Sequence, residues 1–230
     1  MTRKLFYLIP ILIFLLAGFL GCAKEETPFF GGSTTSLSKE AINKAIEATV
    51  LISIDDNGAK QIIGRGMIVG EKYVLTANHV VSAIPNASYY LLINNSYYGP
   101  VKPIFAKSGF DFALLEIPDG QRFPSLELGN SDNLEPGALI YYIGFQNKIE
   151  EKILKKGKLS FITSLSLEFS PSQKILFGES GAPVLMVENG KLKVIGILQS
   201  TNAGQSIGIA HLINPIVSTI LKESGINLSE

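Results

Sequence analysis

Cysteine is almost missing from this sequence of 230 residues: Cys22 is the only one. An intrachain disulfide is thereby excluded. Histidine is nearly as scarce, with His79 and His211 the only two. Two distant histidines and a single cysteine argue against a zinc site, and no cofactor is expected. Lysine and arginine never run longer than two in a row, and 20 Lys+Arg balance 20 Asp+Glu. The basic stripe that a nucleic-acid partner requires is therefore absent. No segment repeats along the chain. What remains is a globular composition, 46% hydrophobic, long enough for one large core or two small ones.

The one long apolar run lies at the N-terminus. The short basic stretch MTRK precedes LFYLIPILIFLLAGFLG, and Cys22 follows at once. A basic head, an apolar body and small residues before a break form the layout of a secretory signal. The run is at the short end for a membrane span; an uncleaved anchor and ordinary cleavage are the alternatives. FLGC resembles a bacterial lipobox, with Phe19 where leucine is usual. A signal peptide over residues 1–21 and lipidation of Cys22 are expected, which puts the chain outside the cytoplasm, membrane-anchored on the periplasmic or cell-surface side. Removing residues 1–21 takes away Arg3 and Lys4, so 18 basic residues face 20 acidic ones, a net of about −2. The remaining domain of about 190 residues is large enough to be stable without a disulfide.

Residues 22–40 are polar and rich in Gly, Ser and Thr, and read as a flexible tether. KEAINKAIEA has apolar residues at helical spacing. From Thr49 the pattern changes to short runs rich in β-branched and aromatic residues, punctuated by Gly, Pro, Asn and Asp. TVLISID, KQIIGRGMIVG, KYVLTAN, SYYLLIN, YYGPVKPIF and FDFALLEI form a first series. GALIYYIGF, KILKKGKLSFI, LSLEF, KILF, APVLMV, KLKVIGILQS and SIGIAHLI form a second, after the connector PSLELGNSDNLEPG. The spaced glycines of GRGMIVG fit a strand near a bulge, not a phosphate loop. LKKGK at 154–158 reads as a solvated basic hairpin. In the last stretch Asn214 serves as a helix cap, Pro215 fits the first turn and Gly225 is a stop. Six or so short strands on each side predict an all-β fold of two antiparallel Greek-key β-barrels with a short C-terminal helix. Barrel 1 spans about 45–120, barrel 2 about 125–213 and the helix about 214–224, within a domain of 41–230.

Three polar residues stand out against this apolar pattern. Ser180 lies between glycines in GESGAPV, and is either a nucleophile on a tight turn or part of a surface loop. His79 follows a strand in VLTANHVV, and is either functional or a plain buried or surface histidine. Asp111, in SGFDFALLEI, is a carboxylate in an apolar run. It either faces water at a strand edge or has a strong partner, because burying it unpaired is costly. An aspartate can hold the Nδ1–H of a histidine, which can then take the proton of a serine hydroxyl.

In the order LTANHVV, DFALLEI, GESGAPV, these stretches resemble the three active-site motifs of trypsin-like, chymotrypsin-fold serine peptidases, which read roughly T-A-x-H, D-x-A-L-L and G-D/N-S-G-G-P. The likeness covers about residues 45–222. GRGMIVGEKYVLTANHVV is similar to the family's hairpin leading to the histidine. LELGNSDNLEPGALIYYIGF is similar to the inter-barrel segment of the bacterial high-temperature-requirement branch. VIGILQS and SIGIAHLINP are similar to the strands beside the substrate pocket. The resemblance implies an active site between the barrels of a serine endopeptidase working through an acyl-enzyme on protein substrates. It implies Ser180 as nucleophile, His79 as general base and then acid, and Asp111 as orienting carboxylate. The backbone N–H groups of Gly178 and Ser180 would form the oxyanion hole. A catalytically incompetent, peptidase-fold binding module is the rival reading, motivated by Glu179 and Phe177.

Departures from the family pattern carry their own expectations. In the animal digestive branch the residue before the serine is an aspartate paired with a freshly cut amine; here it is Glu179, either a structural ion-pair partner or a carboxylate exposed at the site. Phe177 replaces a small residue and is expected at the cleft. The resemblance places Lys174, Phe177, Gln199, Ser200 and His211 around the substrate pocket. His211 and Lys174 either help bind an acidic side chain, as a histidine does on a different pocket strand in the related glutamyl endopeptidases, or are incidental to the pocket. No acidic residue stands where trypsin holds lysine or arginine, so cleavage after small or aliphatic residues is the default. With the chain ending shortly after the last helix, no appended peptide-binding domain is expected.

Overall fold

Ser38 caps the first helix. Its side chain accepts the Ala41 N–H at 3.1 Å, and α1 runs over Lys39–Glu47, as the spacing of its apolar residues predicts. The computed structural model describes residues 37–70, 72–84, 87–118, 121–201 and 206–228. The expected signal peptide, Cys22 and nearly all of the expected tether lie outside the described residues.

Strands β1 (Thr49–Asp56), β2 (Ala59–Val69), β3 (Tyr73–Ala77), β4 (Tyr89–Ile93), β5 (Ser96–Val101), β6 (Pro103–Lys107) and β7 (Phe112–Glu116) form one antiparallel sheet, in the order β5-β4-β1-β2-β3-β7-β6. Helix α2 (Asn78–Ser82) leaves the end of β3. The edge strands β5 and β6 are consecutive and separated only by Lys102, so the sheet curls until its edges meet there. Closure stops short of a hydrogen-bonded ring. Pro100 and Pro103 flank that corner and have no N–H to give to a ladder. The first barrel is thus a half-barrel.

The second series closes fully. Strands β8 (Leu139–Gly144), β9 (Ile153–Ile162), β10 (Ser166–Pro171), β11 (Pro183–Glu188), β12 (Lys191–Thr201) and β13 (Gly208–Leu212) form a closed barrel in the order β10-β13-β12-β11-β8-β9. Helix α3 (Ile213–Ser224) follows and ends at Gly225, whose φ of 75° supplies the left-handed stop.

Alternation sets which side chains form each core. On β4, Tyr89, Leu91 and Ile93 are buried while Tyr90 and Leu92 are partly exposed. The barrel interior holds Tyr142, Leu159, Phe169, Val184, Ile195 and Ala210. A second cluster joins the sheet residues Ile52, Met67, Leu75 and Leu114 to Ile143, Leu185 and Ile197 of the barrel strands and to Ile213, Ile216 and Ile220 of α3. That continuous core packs the two β-layers together, each buried aliphatic or aromatic side chain contributing about 1.5–3 kcal/mol.

Three sequence expectations change in the structure. KILF is not a strand, because its backbone groups are taken elsewhere: the Lys174 carbonyl by Lys155, and the Leu176 N–H by Glu179. Asn214 is not the cap of α3. The cap position is Leu212, and Ser131 Oγ accepts the Asn214 N–H at 3.1 Å from the connector. LKKGK is only partly a solvated basic stretch: on β9, Lys156 and Lys158 face out, but Lys155 alternates inward with Gly157 and Leu159.

Candidate active site

Strand pairing brings the first two polar residues together. Ala77 at the end of β3 pairs with Phe112 at the start of β7. His79 follows Ala77 by two residues and Asp111 immediately precedes Phe112, so the two become neighbours. Asp111 Oδ2 lies 2.8 Å from His79 Nδ1, and Oδ1 accepts the His79 backbone N–H at 2.8 Å. Asp111 has φ 43°, a left-handed conformation that aspartate tolerates. Its carbonyl accepts the Asn78 N–H and the Gln199 side-chain amide, each at 3.0 Å. In the tautomer whose Nδ1–H points at the carboxylate, Nε2 keeps its lone pair for another proton.

Ser180 reaches the same place from the second barrel, on the turn before β11. The turn is built on Gly178 and Gly181, with φ of 90° and 84°, where a side chain would be strained. A Cβ on Gly181 would also lie 2.0 Å from the Arg65 carbonyl oxygen and 2.3 Å from Thr76 Oγ1. The Ser180 carbonyl accepts the Arg65 N–H of β2 at 2.8 Å, and the Gly181 N–H donates to the Leu198 carbonyl of β12 at 2.7 Å. Ser180 Oγ donates to the Gln199 carbonyl at 3.0 Å; among the described residues no hydrogen bond joins it to His79. The backbone N–H groups of Gly178 and Ser180 have no acceptor among the described residues.

His79, Asp111 and Ser180 line one cleft of about 490 Å³, together with Ile175, Leu176, Phe177, Leu198, Gln199 and Thr201. Phe177 is 84% exposed at its rim. Gln199 lines the cleft while its amide holds Asp111. Lys174 is exposed and does not line the cleft. His211 points Nδ1 at the Leu165 carbonyl, 3.3 Å away, while its neighbour Ala210 faces the barrel interior; it too is outside the cleft lining. Neither side chain therefore lines the cleft that holds Ser180. Ser200 continues β12, paired with Ile209 of β13.

Glu179 points the other way and is fully buried. Oε1 accepts Lys155 Nζ at 2.7 Å and the Phe145 N–H at 2.8 Å, and Oε2 accepts the Leu176 N–H at 3.1 Å. Of the two roles open to it, the structural ion pair is the one present. Lys155 and Arg65 were missed at the level of sequence. Period-two alternation from Leu159 through Gly157 points Lys155 inward, and a carboxylate confined between glycine and serine on a buried turn calls for such a cation. Arg65 is also buried, and its pKa is lowered to about 10 by burial, against the opposing effect of Glu179. No group of three or more His, Cys, Asp or Glu suited to a metal occurs among the described residues.

A half-barrel packed on a closed barrel, with His79, Asp111 and Ser180 lining one cleft, defines a chymotrypsin-type fold. Residues 64–197, more than half of the chain, match the trypsin-like peptidase domain, and the chain belongs to that family. It is 26% identical over 203 residues to serine protease HTRA1B of Danio rerio, covering 82% of this chain and 42% of that protein. It is 29% identical over 178 residues to a Pseudomonas putida protein named "Probable periplasmic serine endoprotease DegP-like", covering 72% of this chain and 36% of the relative. The chain thus spans about two fifths of the length of these relatives. Among solved structures, the HtrA-type protease AlgW with decapeptide superposes with a TM-score of 0.65 at 19% identity, over 80% of this chain and 67% of that one. The active form of the Rv3671c protease from M. tuberculosis gives 0.65 at 15% identity, over 82% and 88%. At these identities the structures show the shared fold. No helix among the described residues is long and apolar enough to cross a membrane.

Proposed function

We propose that this chain is a serine endopeptidase that hydrolyses peptide bonds of extracytoplasmic proteins through an acyl-enzyme. One observation carries the reading: Asp111 grips His79 at both Nδ1 and the backbone N–H, and Ser180 lines the same cleft. Attack begins as the Ser180 hydroxyl turns from the Gln199 carbonyl to His79. Nε2 takes the proton while Oγ adds to the substrate carbonyl carbon. The developing oxyanion accepts from the Gly178 and Ser180 N–H groups, each such donor being worth roughly 3 kcal/mol of barrier. The imidazolium, steadied by Asp111, passes its proton to the leaving amine, and water releases the acyl group by the same relay. The apolar lining of Ile175, Leu176, Phe177 and Leu198 favours small or aliphatic side chains at the cleavage site.

Export follows from the N-terminal layout and agrees with the relative named as periplasmic. A lipidated Cys22 would tether the domain to a membrane. A fluorophosphonate probe should label Ser180 and fail on Ser180→Ala; absence of labelling near neutral pH sinks the enzyme reading. The second reading, a binding or scaffold module of the same fold, is favoured by one detail, the Ser180 hydroxyl bound to Gln199 and not to His79. It requires Ser180→Ala to leave cellular function unchanged.

A further inference from the structure

Arg65 is fully buried. A methionine or leucine would fill an apolar seat at lower cost, since removing a guanidinium from water is expensive. Burial lowers its pKa to about 10, and its Nε has no hydrogen-bond partner. Stability alone does not account for an arginine here. Its contacts do supply a role. Nη1 donates to the Gly178 carbonyl at 2.5 Å. Nη2 donates to the Ile149 carbonyl at 2.8 Å and to the Glu151 carbonyl at 2.9 Å. Its backbone N–H holds the Ser180 carbonyl at 2.8 Å. Its carbonyl closes on Gly181, where a Cβ would lie 2.0 Å away. One residue of β2 therefore touches the nucleophile turn at Gly178, Ser180 and Gly181. The fork also ties that turn to the 149–151 segment, and Ile149 packs its side chain over Gly178, where a Cβ would meet Cδ1 at 2.6 Å.

We infer that Arg65 is a positioning residue: its guanidinium holds the Gly178–Ser180 turn in the shape that presents two backbone N–H groups to the cleft. The assignment rests on the serine peptidase reading above. The positive fork is planar and reaches three carbonyls at once, which the point charge of lysine does not. Loosening the turn weakens binding of the oxyanion, which exists only in the transition state, and leaves ground-state peptide binding alone.

The test compares the wild type with Arg65→Lys and Arg65→Gln, at a temperature where circular dichroism shows all three folded. The expected result is a fall in kcat of roughly tenfold to hundredfold with KM held within about twofold. Affinity for a peptide boronate, which binds as a tetrahedral anion, should fall in step with kcat. Affinity for a peptide amide should not change. Folded variants that keep kcat within about twofold, or that lose boronate and peptide amide affinity equally, overturn the role of Arg65. A wild type that neither cleaves peptides nor takes up a fluorophosphonate overturns the peptidase reading itself.

Discussion

Asp111 holds His79 at two points, with Oδ2 2.8 Å from Nδ1 and Oδ1 2.8 Å from the backbone N–H. A carboxylate that grips both the ring and the main chain fixes the position of the imidazole as well as its tautomer. On the proposed mechanism, Asp111→Asn keeps the two hydrogen-bonding sites but stabilises the wrong tautomer. The expected outcome is a folded protein whose kcat falls by about 10⁴-fold, read by single-substrate kinetics beside far-ultraviolet circular dichroism. A loss of less than about tenfold would remove Asp111 from the mechanism.

Gly181→Ala tests the turn itself. The φ of 84° strains any side chain, and the Arg65 carbonyl 2.0 Å from the new Cβ is backbone that cannot step aside. Strain and overpacking together should lower stability by roughly 2–5 kcal/mol, measured as a shift of the urea midpoint at unchanged slope. A shift worth under about 1 kcal/mol contradicts this packing.

Glu179→Gln leaves the Lys155 ammonium buried with its counter-charge gone; the two side chains are 0% and 1% exposed. Removing one partner of such a pair costs about 3–5 kcal/mol. Adding Lys155→Met should recover part of that loss, because the stranded charge then disappears. A double variant no more stable than Glu179→Gln alone means the pair is not what the single substitution breaks.

Alkaline unfolding should involve Tyr142. Its hydroxyl donates to the Gln173 carbonyl at 3.0 Å, and burial first, then the nearby Glu179 charge, push its pKa well above the ordinary 10.0. The folded state therefore holds this proton more tightly than the unfolded state. Stability is intact below pH 10 and falls as pH climbs beyond it. Tyrosinate absorbance should show one residue that ionises only as the fold is lost, and Tyr142→Phe should remove that late component. Early ionisation of every tyrosine would show that Tyr142 is not shielded.

Much of this molecule is legible in one dimension. Period-two alternation and Gly/Pro punctuation mark the two strand series, because a strand's faces alternate whatever it packs against. Three short stretches around His79, Asp111 and Ser180 mark the polar residues that line the cleft. Other features were decided only by the tertiary structure. Whether the first sheet closes depends on how its edges meet at Pro100 and Pro103. Alternation already points Lys155 of LKKGK inward, but only the barrel register brings it to Glu179, 24 positions away along the chain. Arg65 lies 113 positions from Gly178, and only the packing of β2 against the turn before β11 makes them neighbours. Lys174 and His211, placed at the pocket by motif likeness, stand outside it because side-chain direction follows strand register and turn geometry. Local chemistry is written along the chain, but the partner of a buried charge is set by three-dimensional closure.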